Sequence, residues 1–186
     1  MKIQDTTKLY ASLPQAGALT KVLKDDTAQT VSLQGLLASA APLLFSAIAA
    51  DVNRPVVFVL QDADEAGYFY HDLTQVLGIG QVFFYPSSYR RAVKYGQRDA
   101  ANEILRTEVL SKIAQHGESY LYVVTCPEAL SELVVSKTRL DERTVVLKTG
   151  QQVDIVELEK RLRQLDFTET DYVYEPGQFA VRGSII

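Results

Sequence analysis

The sequence predicts an α/β fold: a doubly wound, mostly parallel sheet, followed by the start of a smaller α+β domain. Three observations carry this. Short β-branched and aromatic runs ("VVFVL", "QVFFYP", "YLYVVTC") lack polar alternation, as strands buried on both faces of a parallel sheet do. Segments with helical features lie between and after them, which points to crossover connections. The texture then changes near Thr138–Arg143, where one strand-like stretch, one amphipathic helix and a turn-rich tail follow. The expected division is a helical extension over 1–30, an α/β domain over 31–138 and an incomplete α+β domain over 139–186.

In order, a short apolar strand just before Gly35 should lead through that glycine into the helical stretch "ASAAPLLFSAIAA". Val56–Leu60 reads as a buried strand. Behind it, Asp62 and Glu65 have capping-box spacing, and Gly78 can close the helix they open. The strand from Gln81 precedes a long helix in which Ile104, Leu105, Val109, Leu110 and Ile113 recur at helical spacing, with Gly117 as its stop. The strand from Tyr120 runs into a helix started by Pro127. "RTVVLKTGQ" reads as strand and turn. The next helix carries Leu158, Leu162 and Leu165 on one stripe, with Glu157–Arg161 and Glu159–Arg163 at i,i+4. "DYVYEPGQFAVRGSII" reads as two strand-like runs around a Pro-Gly turn, hence a hairpin. The second run is still apolar at Ile186, so an N-terminal portion of a longer protein is expected.

Composition excludes several classes. The 186 residues are 47% apolar and 23% charged with net charge −4, ordinary for a globular protein and unlike a nucleic-acid coat. One cysteine, Cys126, gives no disulfide framework or metal cluster. A lowered thiol pKa is conceivable at the end of its strand, but no His or Asp motif makes it a nucleophile, and a buried structural role is expected. His71 and His116 lack metal-ligand spacing. No signal peptide or membrane-length apolar run is seen, so a cytoplasmic location and no membrane contact are expected.

The loop at Gly35 has the outline of a phosphate loop without its chemistry. In G-x-x-x-x-G-K-[ST], glycines let backbone N–H groups converge on phosphate, lysine neutralises it and the hydroxyl holds Mg²⁺. With Gly35 as the first glycine, Ala40 replaces the second, Ala41 the lysine and Pro42 the hydroxyl. Pro42 also removes a first-turn N–H. Productive ATP binding is not expected here.

"YEPGQFAVRGSII" (Tyr174–Ile186) is the most specific stretch. It resembles a motif, F-x-x-R-G-x-[IV]-[IVL], shared by bacterial transcription-repair-coupling factors and the excinuclease component UvrB. The degenerate loop, "RPVVFVLQDADEA", "YLYVVTCPEALSELV" and "VLKTGQQVDIVELEKRLRQLDF" agree in order, so the resemblance runs from about Val31 onward. UvrB keeps its phosphate-loop lysine and a long tyrosine-rich, DNA-clamping hairpin. Here the lysine is absent, and "YPSSYRRAVKYGQRDA" is too short for that hairpin. The resemblance therefore favours the N-terminal UvrB-homology region of a coupling factor, with a fragment of an active excinuclease B-type helicase ATPase as the alternative.

That resemblance makes residues 31–138 a degenerate helicase-like domain and 139–186 part of a UvrA-binding-type domain. It implies a catalytically silent fragment that recruits UvrA to RNA polymerase stalled at DNA damage. The full-length protein would be an ATP-dependent translocase on double-stranded DNA that releases the polymerase, with ATP and Mg²⁺ used outside this fragment. By motif position Arg182 is the UvrA-binding candidate, with Phe179 and Glu175 beside it, and Ala180 stands where UvrB tends to carry a second arginine. The bland reading ties Arg182 to a local acid such as Glu175 and puts Phe179 in a core. Arg90, Arg91, Lys94 and Arg98, interleaved with Tyr85, Tyr89 and Tyr95, suit DNA contact, docking on another domain or a plain solvated loop.

Overall fold

The computed structural model describes residues 3–25, 27, 30–89, 98–115 and 121–186. These fall into two compact units, residues 1–133 and 134–186. The architecture is mixed α/β, and the two sheets among the described residues are small and parallel.

The larger unit holds α1 (Ile3–Ala11), α2 (Pro14–Lys24), α3 (Ala40–Val52), β1 (Val56–Val59), α4 (Ala63–Leu77), β2 (Val82–Tyr85), α5 (Ala100–Gln115), β3 (Tyr122–Thr125) and α6 (Pro127–Leu130). Its sheet runs β1-β3-β2, with Val56, Tyr122 and Val82 in one row and Phe58, Val124 and Phe84 in another. Because side chains alternate across a sheet, these two rows share a face. On that face Phe45 of α3 meets Phe58 and Tyr122 edge-on at 4.7 and 5.1 Å, and Tyr70 of α4 stacks on Phe84 at 5.4 Å. The opposite face carries Phe83 and Tyr85, which α5 covers with Lys112 and Arg106. α3 is apolar nearly all round because it is buried on two sides: Phe45 and Ala49 join the sheet core, while Leu44, Ile48 and Val52 pack with Ala16 of α2.

Local signals set several of the element ends. The Asp62 carboxylate accepts from the N–H groups of Asp64 and Glu65, capping α4, and Gly78 ends that helix at φ +88°. Pro127 begins α6 as expected, although α6 is a single turn. The expected stop at Gly117 lies outside the described residues.

Three expectations for this unit are corrected. Val31–Leu33 forms no strand, and both apolar residues are exposed, so the two apolar positions bury too little to hold a ladder. β1 is not buried on both faces, since it is an edge strand whose Val57 and Val59 are 58% and 52% exposed. α5 keeps Val109 buried and Leu110 against the core as expected, but it exposes Ile104 and Ile113 and buries Arg106 instead.

The smaller unit contains α7 (Lys137–Glu142), α8 (Ile155–Gln164), β4 (Thr168–Glu169) and β5 (Gln178–Phe179). Asp154 caps α8 by accepting from Val156 and Glu157, and Leu158, Leu162 and Leu165 are half-buried along one stripe. Glu159 and Arg163 pair at 3.1 Å, while Arg161 donates to the carbonyl of Glu142. "RTVVLKTGQ" supplies the turn, closed by Gln151 N–H to Lys148 O at 3.0 Å, but its apolar residues form no strand. The Pro-Gly turn is present without its hairpin. β5 pairs in parallel with β4, and 172–174 remains irregular because the Thr168 and Thr170 N–H groups take the Gly177 and Phe179 carbonyls.

Candidate protein-interaction surface

Within the smaller unit, β5 turns Phe179 inward, where it is 4% exposed and lies beneath the Arg163 guanidinium at 5.6 Å. Phe179 is the one buried residue of 134–186, so it anchors the unit. Three residues later the chain doubles back. The Arg182 N–H donates to Ile185 O at 2.9 Å and the Ile185 N–H returns to Arg182 O at 3.1 Å. Gly183 takes φ +60° in this turn, a conformation in which a side chain would be strained.

The turn leaves Arg182 at the surface. Its guanidinium lies 4.4 Å from the centre of the Tyr172 ring, and one terminal nitrogen donates to the Asp171 carbonyl at 3.2 Å. Tyr174 extends the patch, 6.3 Å from Tyr172 between ring centres. Tyr172 is 58% exposed and Tyr174 84%. The backbone around the rings is tied down: Thr170 Oγ1 donates to Tyr172 O, and Tyr174 N–H donates to Gln178 Oε1. Glu175 does not hold Arg182; its carboxylate accepts from Gln178 Nε2 at 3.3 Å. A planar cation beside exposed tyrosines is the composition of an interface anchor.

The degenerate phosphate loop is built differently. Gly35 has φ +80°, Ala40 opens α3 and the Pro42 side chain is fully buried. Ala41 lines a cavity of about 640 Å³ whose walls include Leu19, Leu23, Leu36, Leu44 and Phe58. The walls around Ala41 are mostly apolar, with Asp25, Thr27 and Arg54 also among them. Arg54, on the same cavity, donates to the backbone carbonyls of Lys24 and Asp25.

Of the basic segment, Arg90, Arg91 and Lys94 lie outside the described residues, as does His116. Arg98 is described, exposed, and paired with Glu103 at 3.0 Å. His71 is exposed, and among the described residues no group of three or more His, Cys, Asp and Glu side chains could hold a metal. Cys126 is 1% exposed, and burial pushes its thiol pKa up, so the conceivable lowering is overturned. No helix among the described residues is long and apolar enough to cross a membrane.

Sequence reasoning missed a buried polar cluster at the carboxyl end of the sheet. Arg106 of α5 donates to Pro86 O at 2.8 Å and Ala129 O at 3.1 Å, lies 4.2 Å above the Tyr85 ring and reaches Glu132 at 3.5 Å. Glu132 in turn accepts from the Ser88 N–H and hydroxyl. The available signal was an arginine three residues before Val109, inside a helix read only for its apolar positions.

The smaller unit, with its exposed arginine and aromatics on a turn, is similar to a known class of module. Residues 145–186 match the UvrB interaction domain family model. One particular relative is a transcription-repair-coupling factor: over 154 residues, 83% of its length, this chain is 25% identical to that factor of Bacillus subtilis (strain 168). The aligned part is 13% of the relative's length. Together the two matches bear out the likeness to the N-terminal UvrB-homology region of coupling factors.

Proposed function

We propose that this chain is a recruitment module that binds UvrA and brings it to RNA polymerase stalled at DNA damage. The observation carrying this reading is that the matched UvrB interaction segment presents Arg182 at the surface, stacked on Tyr172. In this reading the larger unit has the doubly wound order of helicase-type domains without their nucleotide chemistry, which the mostly apolar walls around Ala41 support. The longer protein would be a cytoplasmic, ATP- and Mg²⁺-dependent translocase on double-stranded DNA that releases the polymerase, with its motor outside these residues.

The test is titration of the full chain against purified UvrA, alongside Arg182→Glu. Binding by the wild type, and a loss of roughly tenfold or more in the folded variant, are expected for an interface arginine. No binding by the wild-type chain overturns the reading. Binding by the variant at wild-type affinity moves the site away from Arg182.

A further inference from the structure

We infer that Tyr172 is a positioning residue: its ring holds the Arg182 guanidinium ready to receive a carboxylate of the partner protein. The inference rests on reading this surface as the UvrA-binding one.

The two arginines near Phe179 divide the work. Arg163 is occupied, held by Glu159 at 3.1 Å and Glu169 at 2.6 Å. Arg182 lies on the exposed turn, and among the described residues no carboxylate pairs with it. It has five N–H donors, and one terminal nitrogen is used on the Asp171 carbonyl. One ring face and one carbonyl thus fix the plane of the guanidinium while an N–H edge remains for a planar, two-oxygen acceptor. Holding a long side chain in its bound geometry beforehand removes part of the entropy cost of association. Around this edge, Tyr174 and Ile185 are 84% and 70% exposed. The fitting occupant is an acidic side chain flanked by apolar contacts on the partner, with the charge at the centre and the apolar residues excluding water.

Tyr172 acts through its ring, so its hydroxyl is dispensable. In titrations against purified UvrA, Tyr172→Phe should bind within about twofold of wild type, while Tyr172→Ala should bind about three- to tenfold more weakly. Arg182→Lys should also bind more weakly, because an ammonium lacks the planar fork. In the double variant Tyr172→Ala/Arg182→Ala, the tyrosine change should cost nothing beyond the arginine change, since neither then has the other to act through. Circular dichroism confirms that each variant is folded, which the exposure of both side chains favours. Wild-type affinity for Tyr172→Ala, or additive losses in the double variant, overturns the positioning role and leaves recruitment standing. If the wild-type chain does not bind UvrA, the recruitment reading falls and this inference falls with it.

Discussion

Arg106 and Glu132 approach to 3.5 Å with only 8% and 13% of their side chains exposed, and each is also bonded to the backbone of the segment that follows β2. Arg106 bonds the carbonyls of Pro86 and Ala129, so one guanidinium ties the exits of β2 and β3 together. Glu132 closes the arrangement through Ser88.

Removing one partner of a buried pair leaves the other charge desolvated, and here two carbonyls also lose a donor. Arg106→Ala should therefore destabilise the larger unit by roughly 3 kcal/mol or more. Urea unfolding monitored by circular dichroism measures this. A loss below about 1 kcal/mol would place the pair among surface-type ion pairs.

The same cluster makes stability depend on acid. Burial pushes the Glu132 pKa up, but hydrogen bonds from Ser87 and Ser88 and the charge of Arg106 outweigh it and hold the carboxyl below its ordinary 4.5. A carboxyl depressed in the folded state contributes stability that is whole above the unfolded value and is lost as pH falls through the folded one. Glu132→Gln should therefore be less stable than wild type near neutral pH, with the gap narrowing below about pH 4.5. A gap that stays constant or widens in acid would contradict this.

Restoring the missing lysine should not restore a nucleotide site. Ala41→Lys puts an ammonium against the mostly apolar cavity while the Pro42 ring stays buried beside it. Isothermal titration with ATP and Mg²⁺ should detect no binding, and the variant should lose about 1–3 kcal/mol of stability unless the side chain escapes to water. ATP binding by this variant would mean that the loop kept more of its function than its walls indicate.

Phe179 and Arg182, three residues apart, should fail in different ways. Phe179→Ala empties the one buried position of residues 134–186 and should cost the smaller unit roughly 3 kcal/mol. Protease digestion should then cut that unit preferentially, whereas Arg182→Ala should leave the digestion pattern unchanged.

Much of the fold was legible in the sequence because it is written in nearest-neighbour terms. Three β-branched and aromatic runs mark three parallel strands, Asp62 and Gly78 bound α4, and Pro127 opens α6. The motif around Arg182 marked the segment that matches a UvrB interaction domain. What only the tertiary structure decided depends on partners distant in sequence. β1 is half exposed because β3, and not β1, takes the centre of the sheet. α5 buries Arg106 in preference to Ile104 because the carbonyls of Pro86 and Ala129 await a donor there. β5 pairs with β4 and not with 172–174, which frees Tyr172 to lie beneath Arg182 ten residues on. Periodicity records which side chains share a face of one element; which face turns inward, and which cation meets which ring, is settled only when the elements pack.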